Sequence, residues 1–462
     1  MTNPLRREPG FYRWMCLLAA PMVLQNLITT SLGFVDTFMV GLLGNAEMAA
    51  VNAANTPIYV IQVALFGFQS GMIVLGSRYW GQGDLKSINR VMGVALCAIT
   101  SFTALIAALL FCFPAGVMRL ITPNETLVAI GAPYLRLVGL SYVFNGVSSV
   151  CAGTQRSVEN PKFGMMVMAV SMVLNTGLNY ILIFGKCGAP ALGVTGAAAA
   201  TLTSRVVEFL ISAVCMVRSR RVPLDLRALS HPGASVWRSF LRYSAPVICN
   251  EALWSLGTSL LTVVLGHMEN NQDMLAANAL VGYVQKFASV ICFGLADAAA
   301  VMVGKEIGAG RDHARVSSVG WALLGASFLV GLVTGGALLV LVPAFFRPVL
   351  FPLFKLTPGA VYAATCMVSV LALMMPFHAF NTTNITGVLR AGGDVKVAIT
   401  IDLIPLWCIA VPLSALTALV LKLDVLWVCF AMYSENLCKM PLSVWRTRSG
   451  KWIKDVTGRD RS

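Results

Sequence analysis

The stretch Ala19–Gly41 reads AAPMVLQNLITTSLGFVDTFMVG, and Ser244–Gly266 reads SAPVICNEALWSLGTSLLTVVLG. Each is apolar over the length that spans a bilayer as a helix, and neither shows the period-two alternation of a strand. Pro21 and Pro246 are 225 residues apart, and so are Gly41 and Gly266. The two stretches therefore read as copies. Inside the first, Asp36 lies among apolar neighbours. A carboxylate near the middle of such a helix costs about 2.5–3.5 kcal/mol on insertion scales, so its presence asks for a partner or a function.

Composition extends this reading to the whole chain of 462 residues. Hydrophobic residues make up 57% and charged residues 12%, with a mean hydropathy of +0.76. A soluble chain carries roughly a quarter charged residues. Backbone groups cannot stay unpaired in lipid, which leaves helices or a closed barrel, and apolar runs of about 20–28 residues select helices. Twelve spans are expected, at roughly 14–43, 52–76, 91–114, 128–152, 163–186, 191–217, 240–267, 276–303, 316–342, 360–385, 396–421 and 425–445. The class is all-α and polytopic. FYRWMCLLAAPM (residues 11–22) lacks a small-residue cleavage site after a short core, so the first span is read as retained rather than as a signal peptide.

Lysine and arginine set the expected orientation. With the N-terminus inside, 25 of them fall in inside segments, 5 in outside loops and 4 within spans. The positive-inside rule then puts both termini in the cytoplasm of a multi-pass plasma-membrane protein. The net charge of +14 follows from that bias and from a basic face towards anionic lipid, and it implies no nucleic acid. The twelve cysteines stand singly, nearly all in apolar runs, and the four histidines are scattered, so neither a disulfide framework nor a zinc site is expected. No GxxxxGK[ST] motif, no Ser/His/Asp or Cys/His arrangement and no sizeable soluble segment points to an enzyme or to a cofactor.

The repeat continues beyond the first span. YWGQGD (79–84) matches EIGAGR (306–311) at offset 227, and GTQRSVENPKF (153–163) matches GVLRAGGDVKV (387–397) at offset 234. Each unit holds six spans, an even number, so both halves enter and leave the membrane on one side. Parallel repeats of this kind are a transporter architecture. The expected organisation is two pseudo-symmetric six-helix bundles at 1–217 and 240–445, a cytoplasmic linker at 218–239 and a basic tail at 446–462.

The early proline, VDTFMVGLLG (35–44), AEMAAVNAAN (46–55), GSRYWGQGD (76–84) and LRAGGD (389–394) resemble motifs of the multidrug and toxic compound extrusion (MATE) family, in order and over about residues 12–445. The resemblance implies two bundles around a V-shaped cavity, and cation-coupled export of small-molecule drugs by alternating access from a functional monomer. The coupling ion, H⁺ or Na⁺, stays open.

Buried polar residues are the candidates for that chemistry. In LNTGLNY (174–180), Asn175 and Asn179 are four apart and share a helix face. With Asp36 they offer hard oxygen ligands for a small cation such as Na⁺, or an interhelix hydrogen-bond set. The resemblance places all three at the family's N-lobe cation site. Glu251, with Asn250 beside it and Trp254 one turn on, matches a family glutamate of the C-lobe. The plain alternative pairs Glu251 with Lys286. Asp402 lies in ITIDLIPLWCIAVP (399–412) beside Pro405 and Trp407. Some members carry their C-lobe acid on the tenth span, but here that span has Asn381 and Asn384 and no acid. Asp36, Asn175, Asn179, Glu251 and Asp402 are thus the candidate coupling residues. Gln25, Asn250, Trp254, Asn381, Asn384 and Trp407 are the candidate substrate contacts. Two local pairs are expected, Arg205 with Glu208 and Glu435 with Lys439, at helical spacing. A flippase for lipid-linked saccharides is the rival reading, and the predominance of buried acids argues for a cationic cargo instead.

Overall fold

Twelve long helices dominate residues 9–454, the residues that the computed structural model describes. They are α1 Pro9–Gly41, α2 Asn45–Gln82, α3 Leu85–Cys112, α4 Glu125–Ser157, α5 Pro161–Phe184, α6 Gly193–Val217, α7 Ala234–Gly266, α8 Asn271–Gly308, α9 His313–Leu353, α10 Pro358–Leu389, α11 Val395–Val420 and α12 Val425–Arg448. Each coincides with one of the twelve spans read from the sequence. Eleven are long and apolar enough to cross a membrane. The twelfth has the length but carries Glu435, Lys439, Arg446 and Arg448. Arg6, Arg7 and residues 455–462 of the basic tail lie outside the described residues.

Local chemistry sets where these helices end and where they deform. Gly83 takes a left-handed conformation (φ 73°) that closes α2, and the Asp84 carboxylate then accepts from the Ser87 N–H at 2.9 Å to open α3. The helical register widens by one residue at Val342–Leu350, Thr383–Leu389, Leu406–Ala410 and Leu416–Val420. Pro348 lies inside the first of these turns, Pro405 immediately precedes the third, and Pro412 separates the last two. Proline lacks an N–H and crowds the carbonyl four residues back, which favours such a widened turn.

The chain packs as two compact units. The first is Leu24–Ile248, and the second joins the residues up to Val23 to those from Cys249 onward. Helices α1 and α7 each contribute to both units, and the change falls two residues after Pro21 and after Pro246. In the first unit α4 packs against α2, α3 and α6. In the second, α10 packs against α8, α9 and α12, which is the same arrangement one repeat later.

The stretch 218–239, read above as a linker, is packed into the first unit. Asn89 Nδ2 donates to the Pro223 carbonyl at 3.0 Å, and Arg221 Nη1 donates to the Val158 and Glu159 carbonyls at 3.1 and 2.9 Å. The chain after α12 closes the second unit in the same manner. Trp452 is fully buried against Gly320 and Gly392, and its Nε1 donates to the Thr447 carbonyl at 3.1 Å. Asp394 in the same loop holds Arg446 at 2.6 Å and Lys454 at 2.5 Å. Each repeat therefore ends by folding back on its own fourth-to-fifth helix loop.

Small residues let the helix backbones approach, as is usual where lipid supplies no hydrophobic drive between helices. On α9, a Cβ at Gly335 would press on the Ala372 carbonyl of α10, whereas one at Gly336 would meet nothing within 4 Å. Gly335→Ala is therefore expected to destabilise the second unit by about 1–3 kcal/mol through overpacking. Gly336→Ala is expected to leave stability unchanged. Thermal unfolding of the two purified variants in one detergent compares them directly.

Candidate functional site

In the first unit the polar residues of α5 and α6 form one continuous seam. Ser171, Asn175 and Asn179 follow each other at four-residue spacing on α5, so they line a single face. Thr201, Ser204, Arg205 and Glu208, at i, i+3, i+4 and i+7, line a single face of α6. At one end Arg205 Nη1 meets Glu208 Oε2 at 2.6 Å, and Ser171 Oγ donates to the same oxygen at 3.0 Å. In the middle Asn175 Nδ2 donates to Thr201 Oγ1 and Ser204 Oγ, both at 3.4 Å. At the far end Asn179 Nδ2 donates to Asn175 Oδ1 at 3.0 Å and to Asp36 Oδ1 at 2.5 Å.

The three residues expected to act together are thus brought together. Asn175 and Asn179 are buried and Asp36 is half-buried. The Asn179 amide N–H spans the Asp36 and Asn175 oxygens, and Asn179 Oδ1 is buried with no hydrogen-bond partner. An ion seated at this place would need that amide turned over, which exchanges its donor for its acceptor. Beside the seam runs a groove of about 570 Å³ lined by Met39, Met172, Val173, Thr176, Gly177 and Tyr180.

The second unit joins its charges into one network. Arg390, at the helical C-terminal end of α10, donates from Nη2 to Glu251 Oε1 of α7 at 3.0 Å. Asn250 Nδ2 donates to Asp402 Oδ2 of α11 at 2.9 Å and approaches Glu251 Oε1 at 3.3 Å. Lys439 of α12 lies 2.9 Å from Asp402 Oδ1 and 2.9 Å from Glu435 Oε2. Glu251 and Asp402, both candidate coupling residues, are therefore linked through one amide. The cation on Glu251 is Arg390 and not Lys286, whose ammonium lies 5.6 Å from the Tyr283 ring centre. Chain direction hid this contact, because Arg390 and Glu251 are 139 residues apart.

The candidate substrate contacts divide into two groups. Gln25 is buried and accepts from Arg156 Nη2 at 3.2 Å. Asn381 and Asn384 are also buried: Asn381 Nδ2 donates to the Asn436 carbonyl at 2.7 Å, and Thr447 Oγ1 donates to Asn384 Oδ1 at 3.1 Å. These three tie helices together and offer no open surface, and Asn250 is equally enclosed. Trp254 and Trp407 are half-buried and pack with Leu261, Leu406 and Ala410. Both local pairs form, Arg205–Glu208 at 2.6 Å and Lys439–Glu435 at 2.9 Å. Arg136 lies 5.4 Å from the Phe111 ring centre. Sequence reasoning missed Arg156, Arg390 and the link from Lys439 to Asp402. The offset of 234 that relates Arg156 to Arg390 was the available signal.

Removing one partner of a buried pair strands the other charge, at a cost of about 3–5 kcal/mol. Arg390→Met should lower the thermal stability of the purified protein by that order. Adding Glu251→Gln should recover most of the loss, while Lys286→Met in place of Arg390→Met should have little effect. Recovery by the double variant is the result that identifies Arg390 as the counter-ion.

Comparison with known proteins matches this doubled architecture. The MatE family model fits the chain twice, over residues 21–181 and 246–416, so the two matches begin at Pro21 and Pro246. The chain is 22% identical to the uncharacterized transporter YisQ of Bacillus subtilis, over 95% of this chain and 94% of that protein. It is 25% identical to the probable multidrug resistance protein NorM of Thermotoga maritima, over 98% and 95%. Among solved structures, a MOP superfamily transporter from Pyrococcus furiosus, described as having a binding pocket of reverse polarity, superposes with a TM-score of 0.87 at 19% identity over 98% of both chains. An outward-facing multidrug resistance MATE family transporter superposes with a TM-score of 0.85 at 18% identity over 97% and 98%. The structural likeness establishes the fold, and the doubled family match, covering most of the chain, establishes the family: this multi-pass membrane protein belongs to the MatE family and is a transporter, not an enzyme.

Proposed function

We propose that the protein is a secondary antiporter of the plasma membrane, which exports amphipathic, often cationic, organic compounds in exchange for H⁺ or Na⁺. The observation that carries this reading is the setting of Asp36. A half-buried carboxylate is held by the neutral amide of Asn179 and lies beside an apolar groove lined by Met39 and Met172. Such a carboxylate accepts a proton or a small cation, and methionine repacks around varied apolar bodies. Competition between the ion and a cationic cargo for one acid then couples their movements. Each charge moved inward gains about 2.3 kcal/mol per 100 mV of membrane potential.

Asp36, Asn175 and Asn179 serve the first repeat in this scheme, and Glu251 with Asp402 serves the second. The protein works as a monomer, with both termini in the cytoplasm. A carrier for pyrophosphate-linked sugars would need cations available to the cargo. Arg205, Arg390 and Lys439 instead each rest on a carboxylate, which favours the antiporter.

Efflux of a fluorescent organic cation from proteoliposomes, under pH and sodium gradients imposed separately, tests the reading and selects the ion. Asp36→Asn keeps the shape of the side chain and removes its charge, and it should abolish gradient-driven efflux while the protein still inserts and folds. Normal efflux by this variant would reduce Asp36 to a packing residue. Orientation has its own test in a cysteine-free background. An impermeant thiol reagent outside intact cells should label Asn124→Cys and leave Gly233→Cys unlabelled.

A further inference from the structure

Arg205 of α6 and Lys439 of α12 are 234 residues apart, the offset that also relates Arg156 to Arg390. They are the same position of the two repeats, and each is a cation buried within its unit, with side chains 17% and 5% exposed. The residues facing them differ. Arg205 touches Met168 Sδ at 3.9 Å, and the residue 234 positions after Met168 is Asp402. One repeat thus offers its cation a thioether where the other offers a carboxylate. Arg205 satisfies itself on Glu208 and leaves Asp36 to the Asn179 amide. Lys439 sits between Asp402 and Glu435.

The charge balance around Lys439 is uneven. Glu251, Asp402 and Glu435 bring three negative charges, and Arg390 and Lys439 bring two positive ones. These five side chains therefore carry one net negative charge, which one proton or one monovalent cation would neutralise. Asn250 Oδ1 is buried and unpartnered within the same network, an acceptor available to a cation or to a water that accompanies it. The two acids that flank Lys439 are not equivalent. Glu435 is on its own helix one turn away and always within reach, whereas Asp402 belongs to α11.

We infer that Lys439 is a tethered counter-cation of the second repeat: its ammonium occupies Asp402 when the network holds no free cation and retires to Glu435 when an ion or cationic cargo takes Asp402. Lys439 and Glu435 are thereby positioning residues that set the affinity of this repeat for its cation, beyond the acids already assigned. The inference rests on the antiport reading. The surrounding titratable groups are Glu251 of α7, Asp402 of α11, Glu435 of α12 and His378 of α10, whose Nε2 meets Ser289 Oγ of α8 at 3.3 Å, with Arg390 as the fixed charge.

The test reads the concentration of the coupling ion that half-saturates efflux in proteoliposomes. Lys439→Met removes the internal competitor and should tighten that value about tenfold or more. Glu435→Gln removes the resting place, holds the ammonium on Asp402 and should weaken it by a similar factor. Lys439→Arg should stay close to wild type. Shifts of opposite sign are the signature, because damage to packing would move both variants the same way. Two shifts in one direction, or none, overturn the inference, and Glu435→Gln with Lys439→Arg decides if Lys439→Met does not fold.

A proton titration of the purified protein makes the test independent of transport. It is carried out in a His378→Gln background. Between about pH 8 and pH 5, below the lysine range, Lys439→Met should take up one proton more than wild type. The double variant Lys439→Met, Asp402→Asn should take up no extra proton, and equal uptake by all three overturns the inference. Wild-type protein that shows no coupled efflux under either gradient counts against the antiporter, while the titration still decides the role of Lys439.

Discussion

A charge placed in hydrocarbon finds no water, so its partner has to come from the protein itself. That requirement organises both units. In the first, Arg205 and Ser171 both meet Glu208, while Thr201 and Ser204 accept from Asn175, which accepts from the Asn179 amide that reaches Asp36. In the second, Arg390, Glu251, Asn250, Asp402, Lys439 and Glu435 form a single connected set across α7, α10, α11 and α12. Helix packing in each unit has to bring these groups within about 3 Å of one another, so the charges specify which helices are neighbours as much as the apolar surface does. Alanine, glycine and serine at the contacts then allow the approach.

The duplicated chain uses one scaffold for two different electrostatic solutions. The hub helices α4 and α10 contact equivalent neighbours, and the segments after α6 and α12 both fold back on the loop that follows the hub. A buried arginine stands at the end of each hub, reaching Gln25 in one repeat and Glu251 in the other. Glu251 and Asp402 stand where the first repeat has Asn26 and Met168, which turns a mostly neutral seam into a charged network. Asp36 is held by the Asn179 amide, whereas Asp402 is held by the Lys439 ammonium and the Asn250 amide. The two halves therefore hold their acids differently, although their backbones follow the same plan.

The length and spacing of apolar runs were enough to reveal twelve helices and their order, because lipid permits only helices or closed barrels and each helix must cover the hydrocarbon; the matched prolines, glycines and motifs revealed the internal repeat. The pairing of Asn175 with Asn179 was equally legible, since helical periodicity alone puts residues four apart on one face. The local pairs Arg205–Glu208 and Glu435–Lys439 follow from the same geometry. What the linear order could not supply was every contact between distant helices: Arg390 with Glu251, Asp402 with Lys439, Asn384 with Thr447. Asn381 and Asn384 looked like cavity residues because they are polar in an apolar span, yet tertiary packing encloses them. Local pattern determines which face of a helix is polar; only the packing of helices far apart in the chain decides whether that face meets a countercharge, another amide or open space.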